Sequence, residues 1–125
     1  HARRLMHLTG LDVQENQARR LLNDLEHYRA ITDRQKDEIE FVAHDWLAEV
    51  FEPTIQAVPR ELRKKLEPAQ LFHEILDHKW YMSERARWDV PLEQVVPSYV
   101  ENVLRDRPDE MAILGLAPED AALQE

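Results

Sequence analysis

Between Asp12 and Ala30 the apolar residues Val13, Ala18, Leu21, Leu22, Leu25 and Tyr28 follow the 3.6-residue period of a helix. A strand, whose side chains alternate with a period of two, would scatter that set over both faces. The period returns in Ile39, Val42, Trp46, Val50 and Phe51, in Leu71, Phe72, Ile75, Leu76 and Trp80, and in Leu92, Val95, Val96, Tyr99, Val100, Val103 and Leu104. With only 2 glycines in 125 residues, the chain also lacks the turn-dense texture of a sandwich or barrel. The expected class is all-α, a compact multi-helix domain of about five to six helices broken by prolines.

Local signals place the boundaries. Gly10 is a natural left-handed stop for a short first helix ending near Thr9. Asp12 and Glu15 have capping-box spacing, which predicts a helix from about Val13 to Ala30. A polar link around residues 32–36 leads to a helix from Ile39 to about Glu52, and Pro53 is expected to kink or break the chain there. Pro59 suits the first turn of a short helix carrying Leu62 and Leu66, and Pro68 the start of a longer one fading near Arg85. Asp89 and Pro91 signal a last helix, which Pro97 either kinks or shortens. Trp46 and Trp80 sit in apolar registers and are expected in the core. The domain is expected to span residues 1–116, with 117–125 an acidic tail.

A formal charge of -9 opposes whole-surface binding to nucleic acid or anionic lipid. The charge is uneven: through Lys36 there are seven Lys or Arg (Arg3, Arg4, Arg19, Arg20, Arg29, Arg34, Lys36) against five acids. Nucleic-acid binding through this basic third is one reading, and a solvated helix face is the plainer one. No stretch has the length and apolarity of a membrane span. The absence of cysteine removes disulfides and thiolate metal sites, and a cytoplasmic location is the simplest expectation. Because the chain opens on His1, it is expected to be part of a longer polypeptide.

Several reactions have no residues to support them. With Gly10 and Gly115 its only glycines, the chain holds neither a Walker loop nor a dinucleotide fingerprint. It has no Gly-x-Ser-x-Gly elbow, and its only serines are Ser83 and Ser98. The run Phe72-His73-Glu74-Ile75-Leu76-Asp77-His78 resembles the helical zinc motif of metalloproteases, but its histidines are five apart rather than four. Five residues turn a helix by about 140° from alignment, so His73 and His78 point apart. His73 with Asp77, and Glu74 with His78, share faces and are expected to pair by hydrogen bonds. No metal or cofactor is expected. The alternative is an enzyme half-site, metal-dependent or acid/base, in which His44, Asp45, Glu49, His73, Glu74 and His78 face one another across two helices.

A short, proline-interrupted chain has difficulty burying every apolar stripe in its own core. The segments beside the interruptions, Ile55 with Val58 and Trp88 with Val90, are therefore expected to meet a neighbour, with self-association as a second outcome.

Three runs carry a family resemblance: Leu8 through Asp24, His44-Asp45-Trp46-Leu47 through Phe51-Glu52-Pro53, and Phe72-His73-Glu74 through His78-Lys79-Trp80. Over about Leu5 to Leu114 the chain resembles an uncharacterised bacterial family of actinobacterial type. In that family this region follows a domain similar to lipopolysaccharide kinases. The resemblance implies a kinase-like domain before His1 that would hold the phosphate loop, catalytic Asp and magnesium ligands. It implies no catalytic residue in this region, which would then be an accessory domain that regulates its neighbour or positions the neighbour's substrate.

Overall fold

Gly10 ends the first helix as its freedom at positive φ suggests, with φ 77° and ψ 2° and its N–H donating to the Met6 carbonyl at 2.8 Å. The computed structural model describes residues 1–108, and within them the architecture is all-α, with no strand. The helices are α1 (Ala2–Thr9), α2 (Glu15–Ile31), α3 (Ile39–Trp46), α4 (Glu52–Ala57), α5 (Arg60–Arg63), α6 (Pro68–Ala86) and α7 (Leu92–Asn102). A π turn, Leu47–Phe51, joins α3 to α4, so Ile39 to Ala57 is one helical run and the runs number six among the described residues. The boundary expected between residues 116 and 117 lies outside the described residues.

The chain groups into two compact units, His1–Thr54 and the stretch from Ile55 onward. In the first unit α1 packs on α2 and α3, and α2 packs on α3. Leu5, Ala18, Leu21, Leu25, Val42, Ala43 and Trp46 are all completely buried. The Trp46 indole N–H donates to Asp24 Oδ2 at 2.9 Å, which satisfies its one polar atom, and the ring lies 5.7 Å from that of Phe51. The link between α2 and α3 is held by Arg29, whose guanidinium donates to the carbonyls of Arg34 (3.3 Å), Gln35 (3.0 Å) and Asp37 (3.1 Å). In the second unit α6 packs against α7, and Phe72, Ile75, Val95, Tyr99 and Leu104 are completely buried. Lys65 Nζ donates to the carbonyls of Leu104, Arg105 and Arg107, fixing the short 3-10 turn (Leu104–Asp106) that follows α7.

Three local expectations need correction. The capping box of α2 is formed by Gln14 and Gln17, the Gln14 N–H donating to Gln17 Oε1 at 3.2 Å, and not by Asp12 and Glu15. Glu15 turns to the start of α1 instead, where it accepts from the Ala2 N–H (3.2 Å) and meets His1 Nδ1 (2.7 Å). Pro53 does not break the chain: Glu52 keeps helical angles, φ -61° and ψ -47°, and α4 runs through the proline. The π turn explains this. Its wider i to i−5 bonding, seen in the Glu52 N–H donating to the Leu47 carbonyl, re-spaces the ladder just before a residue that has no N–H to give.

Trp80 is the third correction, for it is 60% exposed. The buried line through Phe72 and Ile75 continues seven and four residues later at Lys79, not at Trp80. The Lys79 stem takes the inner position while its ammonium meets Asp89, and the next residue is turned about 100° toward water. Pro97, by contrast, lies inside α7 without delaying its start at Leu92. Both Pro97 and Glu93, the residue whose carbonyl loses a donor, are exposed.

The two tryptophans should therefore separate in denaturant unfolding. Trp46→Ala is expected to lower stability by roughly 3–5 kcal/mol through cavity formation and loss of the hydrogen bond to Asp24. Trp80→Ala should cost less than about 1 kcal/mol.

Candidate functional site

The six residues of the half-site reading fall in different surroundings. In the first unit, His44 is exposed on α3. Asp45 accepts from Arg34 Nη1 at 2.5 Å, and Glu49 Oε2, in the π turn, accepts from the Tyr28 hydroxyl at 2.6 Å. Asp37 and Asp45 together strengthen the protonated form of Arg34, while burial and the Glu49 carboxylate push the Tyr28 phenol up. Asp45 and Glu49 thus anchor their helical run to α2 and the link after it.

In the second unit, His73, Glu74 and His78 line one open cleft of about 480 Å³, together with Gln70, Asp77 and Tyr81 of α6, Tyr99 of α7, and Val103 and Arg107 beyond it. His73 Nε2 lies 3.3 Å from Asp77 Oδ2, the expected pairing one turn apart, while its Nδ1 is buried with no hydrogen-bond partner. Glu74 and His78 do not pair with each other. Glu74 Oε1 accepts from the Tyr99 hydroxyl at 2.7 Å, and Oε2 accepts from Gln70 Nε2 at 2.8 Å and from Arg107 Nη2. His78 Nε2 is 2.9 Å from Ser98 Oγ, and its ring lies edge-on to Tyr99 at 6.0 Å and stacked on Tyr81 at 6.4 Å. Burial pushes the His78 imidazole below its usual value.

A carboxylate that already accepts from a phenol, an amide and a guanidinium has few lone pairs left for a substrate proton. Among the described residues, no group of three or more His, Asp or Glu side chains is placed to hold a metal ion. The cleft is best described as a hydrogen-bonded seam between α6 and α7. Its α7 partners, Ser98 and Tyr99, and the anchoring Arg107 carry no local sequence signal, since they lie 20 to 33 residues from the side chains they meet.

The residues expected to face a neighbour also divide. Ile55, Val58 and Val90 are 7%, 1% and 3% exposed, so the chain's own packing has used them. For Val90 the cause is visible: its N–H donates to Ser83 Oγ at 3.1 Å, drawing the loop onto α6. Trp88 remains 53% exposed, and Trp80 and Tyr81 join it as large exposed aromatics. The Lys79–Asp89 ion pair and the Val90–Ser83 hydrogen bond fold the loop after α6, which carries Trp88, back onto that helix. Arg85 stands over the Tyr81 ring, 5.6 Å from its centroid, and donates to its hydroxyl at 3.0 Å. On the basic opening third, His1, Arg3, Arg4 and His7 surround a shallow concavity with Glu15, and Arg4 reaches Glu26 at 3.5 Å.

His78 gives the seam a pH dependence. Its folded pKa lies below the unfolded value of about 6.5, so the unfolded chain binds the extra proton first. Its stabilising contribution is complete above that value and is lost as pH falls through the folded pKa. Urea unfolding between pH 7.5 and pH 5 should show stability declining on acidification, and His78→Gln should flatten the decline.

Comparison with known proteins matches residues 1–104 to the family described as Domain of unknown function (DUF4032). The chain has no match among curated proteins or among solved structures. The matched span ends at Leu104, the first residue of the 3-10 turn after α7, and so covers the first unit and the helices of the second; the chain belongs to this DUF4032 family.

Proposed function

We propose that this chain is a non-catalytic helical accessory domain that docks on a kinase-like domain preceding it in the same bacterial, cytoplasmic polypeptide, and regulates that domain or positions its substrate. The observation that carries the reading is the exposure of two tryptophans, Trp80 on α6 and Trp88 in the loop that follows it. Two half-exposed tryptophans on a charged chain are the residue type that dominates binding energy at protein interfaces. The long matching runs of the sequence support the choice of partner, and the engagement of Asp45, Glu49 and Glu74 within their own units supports a non-catalytic role.

The half-site alternative keeps one favourable observation, the gathering of His73, Glu74 and His78 around one cleft. It requires those side chains to leave the partners described above before they could act on a substrate.

Mixing this chain with the kinase-like part, each expressed separately, should give a micromolar complex by calorimetry. Trp88→Ala or Trp80→Ala should weaken it by about 10-fold or more, the loss expected when an interface anchor is truncated. Absence of binding, together with unchanged nucleotide affinity in the kinase-like part, would remove the accessory-domain reading.

A further inference from the structure

Ser98 decides which nitrogen of His78 carries the proton. The Asn102 side chain lies 2.9 Å from the Ser98 carbonyl, which can only accept, so Asn102 presents its amide nitrogen there and donates to Ser98 Oγ at 3.1 Å as well. The serine hydroxyl accepts from Asn102 and has its own hydrogen left for His78 Nε2, 2.9 Å away. This relay assigns His78 the tautomer protonated on Nδ1, with Nε2 an acceptor in the seam between α6 and α7. Burial of the ring favours the same neutral form.

Protonation reverses the fit. Nε2 becomes a donor, and the Ser98 hydroxyl can receive it only by turning its hydrogen away from the imidazole. The groups that share the cleft with the new cation are Glu74, Asp77, His73 and Tyr81 from α6, Tyr99 from α7 and Arg107 from beyond it. Asp77 is engaged by His73 at 3.3 Å and, as the neighbour of His78 in sequence, points about 100° away from it round the helix. Glu74 stands one turn before His78 on the same face, the spacing at which a carboxylate attracts a following cation. That carboxylate is the one that holds Arg107.

We propose that His78 is a proton-operated latch: neutral, it is held by Ser98 and leaves Glu74 to Arg107; protonated, it leaves Ser98, turns to Glu74 and displaces Arg107 from the carboxylate. Arg107 ends the stretch whose carbonyls Lys65 binds, so its release loosens the chain at the turn after α7. Every part of the latch belongs to the second unit, and the proposal is independent of any docking partner.

The test is a pH titration of the full chain, labelled with ¹⁵N and ¹³C, from pH 7.5 downward. At pH 7.5 the His78 ring should show Nε2 as the unprotonated nitrogen. On acidification the Arg107 guanidinium should pass from slow to fast exchange with water, with the same midpoint as the His78 ring, while the methyl signals of the fully buried Ile75 keep their folded positions. Ser98→Ala removes the donor that favours the neutral ring and should raise both midpoints together. Arg107→Gln removes the rival for Glu74 and should raise the His78 midpoint by about 0.3 pH or more. His78→Gln should leave the guanidinium protected throughout. A proton on Nε2 at pH 7.5 would overturn the proposal, as would a guanidinium that stays protected once His78 is charged, or an Arg107→Gln midpoint no higher than that of the parent chain.

Discussion

A proline has no N–H to donate, and in this chain that single deficiency bears on where α5, α6 and α7 begin and on how two helices continue. Pro59 and Pro91 stand at the N-caps of α5 and α7, and Pro68 opens α6, positions where a missing donor costs nothing. At Pro53 the helix goes on because a π turn has already re-spaced the hydrogen bonds, and at Pro97 it goes on where the residue that loses a donor, Glu93, is exposed. The same rule therefore has three outcomes, set by whether the orphaned carbonyl lies at a helix start, beside a wider turn, or on a wet face. Glu49, which binds Tyr28 of α2, sits within the π turn that precedes Pro53.

The second unit depends in a similar way on Glu74. Its carboxylate gathers α6, α7 and the segment after α7 through Gln70, Tyr99 and Arg107. Removing it would strand a buried phenol and a half-buried guanidinium, which is costlier than the loss of any one hydrogen bond. Such a residue looks catalytic in a sequence, as an acid beside two histidines on a helix. Its geometry is that of a fastener.

What could be read in the sequence was whatever depends on neighbours a few residues away. The periods of α2, α6 and α7, the stop at Gly10 and the start at Pro68 are all local, and each was visible. Trp80 shows the limit. Period alone placed it beside Leu76 on the apolar side, but the stripe is narrow there, and Lys79 could fill the inner position only because Asp89, ten residues on, receives its ammonium. The candidate residues met the same obstacle. His73, Glu74 and His78 were found by type and spacing, and what they do is set by Ser98, Tyr99 and Arg107, which only the packing of α6 on α7 brings near.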